Sequence, residues 1–412
     1  MGRFFPQPFR RQSLSGRLPH LKKTTFFLQA CQKSRNCYCL QLMTDSRLAR
    51  QTAERLIGSR AQLLKYNGLV GFDGFVDTIV EVVDQRQSPT KYTPFKSIKD
   101  FSKRVENAAG KSANFETINT MEKLGGNGPI MAFALSTLGA PVEYLGMVGY
   151  PKVHPVYLEF AKRAKVHGIA EPGLTSAFEF GDGKLMFGQH STVHEVSWET
   201  IKKRYGDKNF RKLWNQANFI AMVNWTMLPH MSALWKKILS EFKPGKDEKR
   251  KVLFFDLADP AKRIDADLLA ALKIIGEFQQ YHDVVLGLNE SEALHVAKVL
   301  RLKKFPRSQK GYAALSGAIR EKLLLHTVVV HPVEFACGAD ADGEAFVTGP
   351  FTAKPKITTG AGDHFNAGFL IGRLLGLSLG HSLQLAVANS GFYVRHAQSP
   401  NREQLVRFLQ TL

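Results

Sequence analysis

At 412 residues and 44% apolar composition the chain can bury a large core, and no run of 18 or more apolar residues marks a membrane span. The formal net charge of +20 first suggests nucleic acid, but residues 1–42 hold eight Lys/Arg and no acid, and without them 48 basic residues face 36 acidic ones, or +12. That excess lies on helix faces such as Lys202-Lys203-Arg204 and residues 246–251, without the interleaved aromatics of a base-stacking platform, so it reads as a solvated surface that attracts anionic nucleotides and not as a specific nucleic-acid site.

Residues 1–42 also carry Cys31, Cys37 and Cys39, and their apolar Phe26-Phe27-Leu28 is too short for a secretory signal. Cys37 and Cys39 have no second pair with which to complete a zinc site. Three readings stand for this segment: upstream sequence with the biological start at Met43, an organellar transit peptide, or a disordered tail. Each excludes it from the fold and leaves residues 43–412 as the domain. Only Cys337 remains in that body, so nothing demands an oxidising compartment. The expected location is cytoplasmic, and organellar only if residues 1–42 are a genuine transit peptide.

From Thr44 a helix with apolar positions at Leu48, Leu56, Leu63 and Leu64 leads into Gly68-Leu69-Val70-Gly71-Phe72-Asp73-Gly74-Phe75-Val76-Asp77, a first strand and its exit. The following Thr78-Ile79-Val80 run begins another strand. Leu124-Gly125-Gly126-Asn127-Gly128-Pro129 opens a helix over 130–138, closed by Gly139 at its C-terminal end. Continuous apolar runs at 142–148, 219–223, 252–255, 284–288 and 327–330, mostly separated by helical stretches, predict an α/β fold: a doubly wound, mostly parallel central sheet with helices on both faces. Residues 78–98 and 175–193 break the alternation; they are β-rich and lack helical periodicity. His190 and His194 lie four apart there without a third ligand for a metal. Asn224-Trp225-Thr226-Met227 ends a strand, either touching a ligand or forming a turn with a packed indole.

Asp283-Val284-Val285-Leu286-Gly287-Leu288-Asn289-Glu290-Ser291-Glu292 is a buried strand entering a helix, with Asn289 and Glu292 on one helix face at i and i+3. Those two residues can also be a cap and the acid of a capping box. Near the C-terminus, Thr358-Thr359-Gly360-Ala361-Gly362-Asp363 runs into a helix. Three small residues let the N–H groups of Gly360, Ala361 and Gly362 converge on an anion, and Asp363 in the first turn puts a proton acceptor beside them. A hydroxyl held between the two becomes a nucleophile.

The stretch Lys356-Ile357-Thr358-Thr359-Gly360-Ala361-Gly362-Asp363-His364-Phe365-Asn366-Ala367-Gly368-Phe369 resembles the signature of the ribokinase-like (PfkB) carbohydrate kinases. The resemblance covers roughly residues 66–412. It implies ATP-dependent phosphoryl transfer to a hydroxyl of a sugar or nucleoside, with Asp363 as the base. It implies that Asn289 and Glu292 act on Mg²⁺, through water, and on the donor phosphates, and that Thr358, Thr359 and Asn389 contact the nucleotide. Asp77, with Asp73 in reserve, is the implied grip on two acceptor hydroxyls; Gly125, Gly126 and Asn127 form the backbone against which the acceptor lies. Residues 78–98 and 175–193 become a small β-sheet lid, through which a homodimer could form. The Phe254-Phe255-Asp256-Leu257-Ala258-Asp259-Pro260 segment with Arg263 resembles a strand-to-loop element near the phosphates, with Asp256 ranked above Asp259. Two departures stand out. Ile130 replaces a common asparagine, which leaves the acceptor open, and Ile357 replaces an aspartate that helps bind potassium, so weak or absent potassium activation is expected. The alternative is a non-catalytic sugar- or nucleoside-binding relative, against which the intact Asp363, Gly360 and Gly362 weigh.

Overall fold

The computed structural model describes residues 38–412 except 246 and 247, with side chains from Ser46 onward. Most of the segment set apart above, with Cys31 and Cys37, lies outside the described residues. The first described helix, Tyr38–Ile57, spans the boundary expected at residue 43. Arg47 to Leu412 forms one unit. Leu56 and Leu63 are buried as expected, whereas Leu64 is 57% exposed, because the helix breaks near Gly58 and restarts as Arg60–Leu63, which rotates that face outward.

Fourteen strands follow among the described residues: β1 (Gly68–Gly71), β2 (Phe75–Ser88), β3 (Lys91–Pro94), β4 (Thr117–Gly125), β5 (Val142–Gly146), β6 (Lys165–Gly168), β7 (Gly173–Phe180), β8 (Gly183–Gln189), β9 (Phe219–Met222), β10 (Val252–Asp256), β11 (Asp283–Leu288), β12 (Thr327–Val330), β13 (Phe335–Asp340) and β14 (Gly343–Thr348). The large sheet has the order β14-β13-β12-β11-β10-β9-β1-β5-β6. It is parallel from β6 to β12 and ends in the antiparallel hairpin β13–β14.

Alternation along single strands explains why both faces are covered. Successive side chains of a strand point to opposite faces. Leu69, Ile220, Leu253, Phe255, Val284, Leu286, Val328 and Val330 enter one core, and Val70, Phe219, Ala221, Phe254, Val285 and Val329 the other. Every one of these is essentially fully buried, so the apolar runs are two interleaved core faces and the doubly wound expectation holds.

The second sheet runs β3-β2-β7-β8 with β4 paired to β2. It is built from the two β-rich stretches together with β4, whose exposed and half-buried residues carry no apolar run. The expected lid pieces thus share one small sheet. The edge strand β6, four residues none of which is buried, was equally silent in the pattern.

Candidate active site

Five neighbouring parallel strands deliver a polar residue at or just beyond their C-terminal ends: Asp73 after β1, Asn224 after β9, Asp256 at the end of β10, Asn289 after β11 and His331 after β12. This is the edge at which open α/β sheets bind ligands. The helix Ala361–Leu374 points its N-terminus at the same edge.

At that N-terminus Gly360 adopts φ +90°, a conformation costly for any residue with a Cβ. A Cβ there would also lie 3.1 Å from the Tyr393 hydroxyl and 3.3 Å from Ile130 Cγ2. The loop is held from behind: the Tyr393 hydroxyl donates to the Thr359 carbonyl at 3.0 Å, and His364 stacks on Tyr393 with ring centroids 3.6 Å apart. His364 Nδ1 pairs with the Gly360 carbonyl and Nε2 with Ser399 Oγ, both at 2.8 Å. The Ala361 N–H, expected to face an anion, donates instead to the Thr358 carbonyl at 3.1 Å. The N–H groups of Gly360, Gly362 and Asp363 find no acceptor among the described residues and are the ones free to bind an anion.

Asp363 is buried and accepts a hydrogen bond from Asn127 Nδ2 at 3.0 Å. Burial first, then the charges of Asp256, Asp73 and Glu292, push its carboxyl well above the usual range, against the Asn127 bond. Asp256 is pushed up to about 6 by burial, while Asn366 Nδ2 at 2.7 Å and the Ala258 N–H at 2.8 Å favour its charged form.

Asn289 and Glu292 form a full capping box. Asn289 Oδ1 accepts from the Glu292 N–H at 2.9 Å and Glu292 Oε2 from the Asn289 N–H at 2.8 Å, while Oε1 takes the Asp259 N–H at 2.8 Å. Glu292 is pushed up to about 8, by burial and then by the Asp256 charge. These mutually repelling buried carboxyls lack a counter-charge, and a hydrated divalent cation fits that lack: oxygen donors in excess of negative charge suit a hard ion. Among the described residues no three His, Cys, Asp or Glu converge to ligate a metal directly.

Asp73 and Asp77 part company. Asp73 is fully buried and accepts the N–H groups of Asn127 (2.9 Å) and Gly128 (2.8 Å) and Asn224 Nδ2 (2.7 Å), so its oxygens are spent on the start of the helix Asn127–Thr137. Asp77 lies within β2 on the small sheet, opposite Lys123 of β4 and Thr175 of β7. Gly125 permits this, since a Cβ there would come 2.7 Å from the Asp77 carboxylate. Burial first, then the charges of Asp363 and Asp77, push the Tyr393 hydroxyl up.

A cleft of about 330 Å³ is lined by Asn127, Asn224, Met227, Asp256, Ala258, Asp259, Lys262, Asn289, Glu292, His331, Gly360, Gly362 and Asp363. Asp77, Gly125 and Gly126 stand off this cleft, beside it on the small sheet and its exit. Asn224 serves both earlier readings: it lines the cleft while Trp225 packs behind it under Arg263, 4.2 Å from the ring centroid. A second cavity of about 360 Å³ opens beside the first, walled by Pro332, Val333, Phe335, Pro350, Phe351, Thr358, Phe365 and Val387 among others. Asn389 lines neither. It is fully buried and donates to the His364 carbonyl at 2.6 Å. His331, Lys262 and Asn366 escaped the sequence reading. For His331 the signal was present, because it directly follows the apolar strand Thr327–Val330.

The same fold occurs in solved kinases that share little sequence. A phosphofructokinase-2 variant from Escherichia coli matches with a TM-score of 0.59 at 12% identity, over 84% of this chain and 99% of that one. Methanocaldococcus jannaschii nucleoside kinase gives 0.55 at 14%, and Arabidopsis thaliana ribokinase complexed with ribose and ATP gives 0.54 at 14%, each over 84% of this chain and 99% of the other. Fold and sequence signature together define a PfkB-type carbohydrate kinase. The prokaryotic ketohexokinase family matches residues 49–412, and the ketohexokinase of Haloferax volcanii is 29% identical over 357 residues, 86% of this chain and 92% of that protein. The chain belongs to the prokaryotic ketohexokinase family.

Proposed function

We propose that the chain transfers the γ-phosphoryl group of ATP to a hydroxyl of a ketohexose. The observation that carries this reading is the placement of buried Asp363, steadied by Asn127, next to the free N–H groups of Gly362 and Asp363 at a helix N-terminus. In this reading Asp363 takes the acceptor's proton as its oxygen attacks phosphorus. The N–H groups receive the negative charge on the transferring group, where preorganised donors act most strongly. Asp77 holds acceptor hydroxyls from the small sheet, since one carboxylate can accept from two vicinal groups. The small sheet acts as a lid that excludes water from the reacting phosphate. Magnesium, when bound, would be held through water by Asp256, Asn289 and Glu292 and would neutralise the donor phosphates.

The acceptor assignment rests on the family and is the part most open to test. Purified protein with Mg·ATP is offered fructose, ribose and nucleosides in turn, with ADP release followed and the phosphorylated product identified by mass. Fructose or another ketohexose should be turned over fastest; preferential use of a nucleoside would overturn the acceptor, and binding without any turnover would overturn the kinase. Ile357 offers no carboxylate to a monovalent cation, so rates in sodium and potassium salts should agree within about twofold, a difference of well under 1 kcal/mol.

A further inference from the structure

Three residues line both cavities: Asn289, Gly362 and His331. Any molecule that fills the apolar cavity and reaches Asp363 must cross this seam. The lining of the apolar cavity contains no Asp, Glu, Lys or Arg, and the only titratable side chain common to both spaces is that of His331. Its ring packs on Phe365 at a tilt of 33°, with centroids 4.5 Å apart. Its Cε1, the carbon between the two ring nitrogens, is the atom that a Cβ on Gly362 would meet, at 3.4 Å, so that end of the ring lies against the first turn of the helix Ala361–Leu374. Nε2 is buried and has no hydrogen-bond partner.

An unpaired buried ring nitrogen costs free energy unless a ligand completes it. We propose that His331 is a donor-positioning residue, whose Nε2 hydrogen-bonds a phosphate oxygen of the nucleotide where the polyphosphate chain passes from the apolar cavity to the cleft of Asp363. The inference rests on the kinase reading above and adds a residue to it. Burial keeps the ring neutral, pushed down to about 4. Of the groups facing it, the elements beside it contribute the apolar Phe365 and the N–H of Gly362, while Asp256, Asp259, Lys262, Glu292 and Asp363 line the same cleft. An arriving polyphosphate adds negative charge and favours the protonated ring, so nucleotide binding should take up a proton.

The test is calorimetric titration of wild type, His331→Ala and His331→Gln with Mg·ADP across about pH 5.5 to 8.5, together with kinetics and melting of the free proteins. The Ala variant should bind ADP about tenfold more weakly near neutral pH. Its KM for ATP should rise by a similar factor while the KM for the sugar holds. The ratio of wild-type to Ala affinity should widen as pH falls, a comparison in which the titration of Asp256 and Glu292 is common to both proteins. Gln, which keeps a donor, should recover part of the affinity without the pH dependence. ADP affinity within about twofold of wild type in the Ala variant would overturn the proposal. So would equal losses in Ala and Gln accompanied by a lowered melting temperature, which would mark His331 as packing alone. In either case wild type would still bind ADP and phosphorylate sugar, whereas failure of the kinase reading would show as wild type doing neither.

Discussion

Two aspartates four residues apart show how far a side chain's role depends on what its oxygens already hold. Asp73 is committed to three protein donors, and Asp77 stands beside Lys123 and Thr175 on a strand of the small sheet. Removing Asp73 leaves buried donors unpaired, at roughly 1–3 kcal/mol each. Asp73→Ala should therefore lower the melting temperature by several degrees, whereas Asp77→Ala should melt close to wild type and raise the acceptor KM with little change in that for ATP. Equal melting temperatures for the two variants would refute the division. Asp363→Asn keeps shape and can still pair with the Asn127 side chain, but it cannot accept a proton. Turnover should fall by about 10²–10⁴, the usual worth of a general base, with ADP affinity within a few-fold. A variant retaining a tenth of wild-type turnover would remove Asp363 from that role.

At the scale of the element, Asn289 and Glu292 cap the helix they start and also line the cleft. Both Glu292 oxygens accept backbone N–H groups, yet burial and the Asp256 charge raise its carboxyl to about 8 from an ordinary 4.5. Between those values the unfolded chain has released the proton that the folded chain keeps. Stability from this group therefore falls as pH rises through the interval, and the full penalty is present above about 8. His282, His331 and His364, each pushed down to about 4 by burial, act in the opposite sense: their neutral forms stabilise fully above 6.5, and that contribution is lost as pH falls toward 4. The window that isolates Glu292 is thus pH 6.5 to about 9. In magnesium-free buffer the melting temperature of Glu292→Gln should rise relative to wild type across that window. Parallel melting curves would show that Glu292 does not hold its proton near neutrality.

For the molecule as a whole, the large sheet is held between two cores, and the site occupies one edge of it. The first side chains described in those cores are Ala49, Ala53 and Leu56 of the helix Tyr38–Ile57. A chain beginning at Met43 keeps all of them and discards eight positive charges. It should melt within a degree or two of the full chain, keep its kcat and bind less to anionic surfaces. A drop of more than about 4 °C, which for a chain this long implies a loss above 1 kcal/mol, would place residues 1–42 on the fold.

The elements that announced themselves in the sequence are those whose signal is local. β9 to β12 are buried on both faces, so they read as nearly continuous apolar runs, and Gly360 takes φ +90°, a conformation that favours glycine. β4, β6 and the hairpin β13–β14 were not legible. The first two are exposed along much of their length, and the hairpin's identity as the sheet's antiparallel edge depends on which neighbour it meets. Asn389 could not be separated from a nucleotide contact by spacing, since only the packing of helix Leu379–His396 on helix Ala361–Leu374 turns its amide inward. Sequence alone determined the doubly wound sheet and the small-residue loop with an acid at a helix start, because periodicity and backbone freedom are properties of neighbours along the chain. Tertiary structure decided that Asp73 is held by the donors of Asn127, Gly128 and Asn224, and that His331 stands between the two cavities. Each of these depends on partners tens to hundreds of residues away.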